Sequence, residues 1–240
     1  MLRFRFLRVA VAHLVFGKMK KILFLLPCLL MASCYSAYQK RDSGWTFVEW
    51  NAGVGYRASP VRGADPASFR VLSDPEFAVD KRAVYWRNWT LDGADPRTFR
   101  ELTKGYWRDR AKVFEAHYEI KGADPDTFRL LPVEPWALDK HDAYRGFEPV
   151  HVADLSTFTV LSPTWAKDSK AYYAGAPGKP RKVPCDYASF AILNAEYGKD
   201  KNHAYWFGLP IPGSDAKSFR VLDESRAQDK FREYSGPNPK

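Results

Sequence analysis

Four titratable side chains are the best candidates for acid–base chemistry, because they fall outside a repeating pattern that accounts for most other charged residues: His117, Glu119, His141 and His151. A positioned histidine or carboxylate can exchange a proton with a substrate. Their spacing matches no HExxH zinc motif, and the sequence has no paired-cysteine metal site and no Gly-x-Ser-x-Gly elbow. We therefore predict solvated or hydrogen-bonded histidines, no catalytic residue, no metal and no cofactor.

Two sets of aspartates recur at regular spacing, and repeated carboxylates could bind calcium. The first set is Asp65, Asp95, Asp124, Asp154, Asp186 and Asp215, and the second is Asp80, Asp109, Asp139, Asp168, Asp200 and Asp229. No unit contains the dense run of oxygen ligands found in a calcium loop. An aspartate at a turn or a helix cap accepts hydrogen bonds from nearby backbone N–H groups instead. The sequence therefore predicts structural aspartates.

Cys34 follows a segment with the features of an export signal. From Met19 the chain has two lysines, an apolar stretch from Ile22 to Met31, and then Ala32 and Ser33. The apolar stretch is much shorter than the roughly 20 residues that a membrane-spanning helix needs. We therefore predict a signal peptide over residues 1–33, with translation starting at Met1 or, because the segment before it is atypical, at Met19.

The segment before Cys34 also resembles the lipobox of bacterial lipoproteins, although Met31 departs from the usual Leu, Val or Ile. The resemblance implies cleavage between Ser33 and Cys34 and a thioether to diacylglycerol, with further acylation such as palmitate. Two or three acyl chains hold a protein on a membrane durably. We expect a membrane-anchored lipoprotein of the bacterial envelope, with residues 34–45 as tether. In a Gram-negative cell Tyr35, which is not aspartate, favours the outer membrane.

The remaining cysteines support no disulfide. Cys28 leaves with the signal and Cys34 is acylated, so Cys185 has no partner in the mature chain. Cys185 occupies the small-residue position held elsewhere by Ala64, Ala94, Ala123 and Ala153. We predict a buried, inert thiol.

Composition and charge limit the classes of function. The 240 residues include 45% hydrophobic and 15% aromatic residues, which is too rich for a disordered chain. The formal charge of +9 owes six bases to residues 1–33, which contain no acid, so the remainder has 31 bases against 28 acids. A net charge near +3 with interleaved signs argues against sequence-independent nucleic-acid binding.

The chain contains a repeat of about thirty residues. Phenylalanines 29 to 32 residues apart mark it: Phe69, Phe99, Phe128, Phe158, Phe190 and Phe219. Each has an aspartate of the first set four residues before it and Ser or Thr immediately before it. Each aspartate of the second set has an aromatic residue five positions later. Such units bury little alone and form a core by stacking.

These landmarks resemble the DKNYY family of bacterial repeat proteins. The cleanest copy is YGKDKNHAYW at Tyr197 to Trp206, and VDKRAVYW at Val79 to Trp86 is close. The resemblance covers roughly Trp50 to Tyr234. It implies a repeat protein of the bacterial envelope and no particular mechanism.

Each unit has the pattern of a hairpin followed by a short helical turn. Aromatic segments flank an Asp-Lys turn, and Gly-Ala-Asp-Pro then ends the second strand. Asp can cap the next turn and Pro suits its first position. We predict a mainly β domain over 46–240, a tandem array of about six such units, either open or closed into a ring, with open favoured. The first hairpin is weak, with Asn51 near the aspartate position and Tyr56 near the aromatic one.

Two departures from the repeat are candidate contact surfaces. The fifth unit is longer by about three residues at Gly175 to Pro184. This places Lys179, Arg181 and Lys182 on a Pro-rich loop that could meet anionic lipid, lipopolysaccharide or an acidic partner, or be merely solvated. A row of tryptophans could instead stack on sugars: Trp50, Trp86, Trp89, Trp107 and Trp206.

The sequence favours a non-catalytic binding or structural module on a lipid anchor. Its partners would be the membrane, through Cys34, and a protein or envelope polymer, with no nucleic acid. Two alternatives stay open. One is an enzyme that acts on envelope polymers with Glu119 and a histidine, and the other is an immunity protein against a secreted toxin.

Overall fold

The computed structural model describes residues 35–239 except 52, 54, 104 and 176–178. The predicted signal peptide, its cleavage site and Cys34 lie outside this part of the chain. Within it, no helix is long and apolar enough to cross a membrane.

The described residues form seven small antiparallel sheets in chain order. The first has three strands, β1 (Tyr35–Arg41), β2 (Gly44–Asn51) and β3 (Gly55–Pro60). The second contains β4 (Arg70–Val71), β5 (Phe77–Val79), β6 (Val84–Trp86) and β7 (Trp89–Thr90). The third contains β8 (Arg100–Thr103), β9 (Tyr106–Arg108), β10 (Val113–Glu115) and β11 (Tyr118–Glu119). The fourth contains β12 (Arg129–Leu130), β13 (Trp136–Leu138), β14 (Ala143–Arg145) and β15 (Glu148–Pro149).

The remaining three sheets repeat this four-strand order. The fifth contains β16 (Thr159–Val160), β17 (Ala166–Lys167), β18 (Tyr172–Ala174) and β19 (Arg181–Lys182). The sixth contains β20 (Ala191–Ile192), β21 (Tyr197–Lys199), β22 (Ala204–Trp206) and β23 (Leu209–Pro210). The seventh contains β24 (Arg220–Val221), β25 (Arg226–Gln228), β26 (Glu233–Ser235) and β27 (Asn238–Pro239).

The mainly β repeat array is confirmed, and each repeated unit is larger than the predicted hairpin. The predicted hairpin is the central pair of strands, as in β5 and β6, where Ala78 lies opposite Tyr85. Two outer strands, most of them of two residues, extend it into a four-stranded meander. Strands this short present no alternating pattern, so the sequence does not signal them.

The predicted short helical turn is wrong in most units. In four of them the Phe N–H donates to the carbonyl of the aspartate four residues earlier, as Phe69 does to Asp65 at 3.0 Å, and the turn stops there. Only Leu155–Thr157 forms a short 3₁₀ helix in the described chain. The turn does not continue because the next residue, such as Arg70, is extended and pairs with the second strand.

The core is divided into six hydrophobic clusters, and each contains residues of two consecutive sheets. An aromatic side chain of one sheet reaches the marker phenylalanine of the next. Trp165 and Phe190, for example, have ring centroids 5.7 Å apart. In the described chain no cluster contains residues of both the first and the last sheet, which favours an open array over a closed ring.

The first sheet begins earlier than the sequence indicates. Residues 35–41, predicted as tether, form β1, which pairs with β2 along its whole length. Tyr38 is buried, with its ring centroid 5.1 Å from that of Phe47 and 5.2 Å from that of Phe69. Tyr38 packs on the marker phenylalanine of the next unit, as Tyr197 packs on Phe219, and so fills the aromatic place that precedes the turn aspartate in other units. Tyr56, assigned from sequence to the aromatic place after the turn, is 60% exposed.

The tight turn between the third and fourth strands holds several residues in the left-handed region. Ala116 has φ 49° in the third sheet, whereas glycines occupy the same position in the fourth and seventh sheets, Gly146 at φ 62° and Gly236 at φ 59°. A residue with a Cβ is strained there and glycine is not.

We expect Ala116→Gly to raise the free energy of unfolding by roughly 0.5–1 kcal/mol, because relief of left-handed strain exceeds the entropy that glycine loses on folding. The reciprocal Gly146→Ala should lower it by a similar amount. Urea unfolding of both variants measures this. A destabilising Ala116→Gly would show that the turn is not strained.

Candidate functional site

The aspartates of the second set bind the backbone of a loop earlier in their own unit. Asp80 Oδ1 accepts hydrogen bonds from the N–H groups of Arg82 and Ala83, at 2.7 and 2.8 Å. Its Oδ2 accepts from the N–H of Asp65 at 2.6 Å and from the Tyr85 hydroxyl at 2.9 Å. One carboxylate therefore closes its own turn and fastens the loop that carries Asp65.

The bond between the two aspartate sets is present in all six repeated units. The backbone N–H of the first aspartate donates to Oδ2 of the second at 2.6 to 2.9 Å in these pairs: Asp65–Asp80, Asp95–Asp109, Asp124–Asp139, Asp154–Asp168, Asp186–Asp200 and Asp215–Asp229. A tyrosine hydroxyl also donates to Oδ2 in five units. The exception is the unit of the third sheet, where Phe114 stands in place of the tyrosine and lacks a hydroxyl. Both sets thus have the turn and cap roles predicted for them.

These hydrogen bonds lower the pKa of four of the buried carboxyls, those of Asp80, Asp168, Asp200 and Asp229. Burial raises the pKa of the Asp229 carboxyl, but the tyrosine hydroxyl and three backbone N–H groups lower it more, to about 2. For Asp200 the same balance leaves the pKa below its ordinary value. The tyrosines respond in the opposite direction, since burial and the adjacent carboxylate raise the pKa of Tyr205.

The basic residue after each turn aspartate neutralises the first aspartate of its unit. Lys140 Nζ lies 2.6 Å from Asp124 Oδ2, and Lys201 Nζ lies 2.8 Å from Asp186 Oδ2. In the fifth unit Ser169 replaces the lysine, and its hydroxyl donates to Asp154 Oδ2 at 2.6 Å. Among the described residues no cluster of His, Cys, Asp and Glu is arranged to hold a metal ion.

The structure brings together only two of the four acid–base candidates. Glu119 and His141 line one pocket of about 250 Å³, and Glu119 Oε2 is 2.6 Å from Lys112 Nζ. His117 stacks on Trp86 with centroids 3.5 Å apart, and burial and the nearby Arg87 lower its pKa. His151 is exposed, with Nδ1 3.4 Å from Asp142 Oδ2.

The lengthened loop of the fifth unit replaces a two-residue turn between β18 and β19. Lys179 and Lys182 are exposed and Arg181 is half-buried. The Arg181 Nε is buried without a hydrogen-bond partner in the described chain. Residues 176–178 of this loop lie outside the described part of the chain. Arg181 and Lys182 form β19, opposite Ala174 and Tyr173, so of the three cations predicted on the loop only Lys179 lies between the strands.

Cys185 and the tryptophans have different surroundings. Burial and Asp200 raise the pKa of the half-buried Cys185 thiol to about 11, so it is protonated at neutral pH. The tryptophans form no exposed row. Trp107 is 1% exposed and Trp89 is 65% exposed. Trp206 is half-buried, and its Nε1 donates to Glu196 at 2.9 Å.

A cationic recess in the third sheet is absent from the sequence-based candidates. It has a volume of about 410 Å³ and is lined by Arg97, Thr98, Phe99, Arg100, Arg108, Asp109 and Arg110. Arg100 lies directly opposite Arg108 in the β8–β9 pair. The sequence carries a weak signal, because four of the six marker phenylalanines are followed by arginine: Arg70, Arg100, Arg129 and Arg220.

The arginines of the recess differ in their partners. Arg97 and Arg110 share the carboxylate of Asp95, at 3.4 and 3.2 Å. Arg108 reaches the next unit, where its guanidinium binds the Pro125 carbonyl and Asp126, the latter at 2.7 Å. The Arg100 side chain makes no hydrogen bond or ion pair with the described residues.

An equivalent recess is present in the sixth sheet. It has a volume of about 380 Å³ and is lined by Ser189, Ala191, Lys199, Asp200, Lys201, Ala216 and Lys217. Lys199 and Lys201 correspond to Arg108 and Arg110, and Ala191 corresponds to Arg100. Two sheets of the array therefore present the same kind of cationic recess.

A family model described as the DKNYY family matches residues 47–175 and, in a second overlapping match, residues 92–236. No curated protein and no solved structure matches the chain.

We expect Asp200→Asn to lower the free energy of unfolding by roughly 1–3 kcal/mol, because its amide NH₂ would face the N–H of Asp186, which cannot accept a hydrogen bond. Lys201→Ala is the matched control. It removes an exposed ion pair of the same unit and should cost less than about 1 kcal/mol. Chemical unfolding of both variants gives the comparison.

The pH dependence provides the second measurement. A carboxyl whose folded pKa is lowered adds stability above its unfolded pKa, and this stability disappears as the pH falls through the folded pKa. The wild type should therefore lose stability below about pH 4, and Asp200→Asn should lose less over the same range. Equal losses in both proteins would contradict the role given to Asp200.

Proposed function

The chain belongs to the DKNYY family, and from that premise we propose that it is a lipid-anchored protein of the bacterial envelope whose repeat array is a non-catalytic binding module. Its anchor would be diacylglycerol and acyl chains on Cys34, after cleavage of residues 1–33. The outer membrane is the proposed site in a Gram-negative cell.

One observation carries the binding role: the same cationic recess occurs at equivalent places in the third and sixth sheets. The aspartates, tyrosines and marker phenylalanines are engaged in holding each unit. The recesses, by contrast, expose cations whose identities differ between units. A repeated scaffold with variable residues in a recurring recess is suited to binding.

The location of β1 bears on the anchor. The first strand begins at Tyr35, immediately after Cys34 in the sequence. A lipid on Cys34 would therefore place the first sheet at the membrane surface, with no connecting segment between them.

The catalytic alternative has one observation behind it, the shared pocket of Glu119 and His141. The Glu119 carboxylate is paired there with Lys112. This ion pair occupies the Glu119 carboxylate and favours a structural role over acid–base catalysis. No contact in the described chain favours the immunity role. Recovery of a toxin domain bound to the purified protein would support it.

We expect Cys34→Ser to move the protein from the membrane fraction to the soluble or uncleaved precursor pool, because the thiol that receives the lipid is absent. Mass spectrometry of the wild-type N-terminal peptide should find an acylated Cys34. Cys185→Ser is the matched control and should leave membrane association unchanged.

The proposal would be contradicted by a mature wild-type chain that is cleaved elsewhere or has an unmodified Cys34. Affinity capture from envelope extract, with and without the Cys34 lipid, tests the binding role. Turnover of an envelope polymer that is lost on Glu119→Gln or His141→Ala would instead support the enzyme.

A further inference from the structure

We propose that the cationic recess of the third sheet binds a phosphate monoester, and that Arg100 is the residue that determines this affinity. The inference rests on the proposed role of the array as a binding module and names the chemistry of its ligand.

The charges in the recess are incompletely balanced. Arg97 and Arg110 share the single carboxylate of Asp95, and Arg100 has no carboxylate. Asp109 also lines the recess, but its two oxygens accept backbone N–H groups of Asp95, Ala111 and Lys112 at 2.7 to 2.8 Å. Asp109 therefore forms no ion pair with these arginines. Four guanidinium groups face three carboxylates, those of Asp95, Asp109 and Asp126, and this excess of positive charge favours an anionic ligand such as a phosphate monoester.

The pairing of Arg100 opposite Arg108 lowers the stability of the sheet, and the fold does not require two cations at this pair. Like charges placed directly opposite each other in an antiparallel pair are destabilising. No other repeated sheet has two cations at this pair, where the partners are Arg70–Val79, Arg129–Leu138, Thr159–Lys167, Ala191–Lys199 and Arg220–Gln228. A local conflict of this kind, without a structural gain, is typical of a functional site.

The partners of Arg108 explain how the recess keeps its shape. The Arg108 side chain is only 14% exposed and its guanidinium is held by the loop of the next unit. Its Nε is buried and has no hydrogen-bond partner in the described chain. Arg108 is therefore a fixed part of the recess lining, whereas the exposed Arg100 is available to contact a ligand.

Guanidinium geometry and the volume of the recess select the ligand class. Arginine binds phosphate oxygens through paired N–H donors. A volume of about 410 Å³ lies within the range of small-molecule sites, so the recess has room for the group that carries the phosphate. Phosphorylated sugars and monoester lipid headgroups share this chemistry. The sixth-sheet recess is a poorer candidate, because Lys199 Nζ is occupied by the carbonyls of Ala216 and Phe219.

The test compares Arg100→Gln with Arg129→Gln in the full chain carrying Cys34→Ser, so that no acyl chain contributes. Arg129 also follows a marker phenylalanine and is exposed, but it lies opposite Leu138. Calorimetry with glucose 1-phosphate measures the soluble arm. Flotation with phosphatidic acid vesicles, against phosphatidylcholine vesicles, measures the lipid arm.

We expect Arg100→Gln to weaken binding at least tenfold and Arg129→Gln to weaken it less than twofold. Arg100→Gln should leave the melting temperature unchanged or raise it, because it removes a like-charge pair. Binding in the soluble arm alone identifies a phosphorylated sugar, and binding to phosphatidic acid vesicles alone identifies a headgroup.

Absence of binding in both arms, or equal losses for the two variants, would overturn the inference. An unacylated Cys34 would overturn the anchor and leave this result standing. If Cys34 is acylated and the protein captures an envelope partner, but no phosphate monoester binds, the inference is overturned and the proposed function stands.

Discussion

A single buried carboxylate determines the geometry of each unit. It accepts the N–H groups of its own turn and the N–H of an aspartate 14 or 15 residues earlier. Units this small have little interior, and two short strands would not hold the preceding loop in place. Because the carboxylate is charged and largely removed from water, its hydrogen bonds are stronger than those between neutral groups. The marker phenylalanine then lies at a fixed place, where the neighbouring sheet can pack on it.

This constraint explains which changes the repeats tolerate. Ser169 stands where other units have a basic residue, but its hydroxyl still binds the aspartate at the head of the loop. Phe114 stands where other units have tyrosine, and Asp109 keeps its three backbone donors. Side-chain partners of the aspartates vary, whereas the backbone bonds to the buried carboxylate are present in every repeated unit.

The periodic part of the fold could be predicted from the sequence, because its markers are large or charged residues at fixed spacing. Phe190 and Asp200 identify their unit without any knowledge of contacts. The outer strands of each sheet could not, since two-residue strands such as Ala191–Ile192 have no period. The weak first hairpin at Asn51 and Tyr56 corresponds to β2 and β3. The strand before it was missed because YQKRDSGW contains no Asp-Lys turn, although Tyr38 packs on the next marker phenylalanine. The helical turn was over-extended because Asp-Pro favours a helix start whether or not a helix follows.

The candidate site shows a different limit of sequence reasoning. Arg100 and Arg108 are eight residues apart in the chain, and only strand pairing brings them opposite each other. The net charge also hides them, since most Asp-Lys pairs of the array cancel within their own unit. A chain with nearly balanced charge can therefore have a local excess wherever one carboxylate serves two arginines, as Asp95 does. The repeated hydrogen bonds and ion pairs of the aspartates thus identify the charged residues that stabilise the fold. The third sheet differs because the Arg100 side chain takes part in none of these interactions.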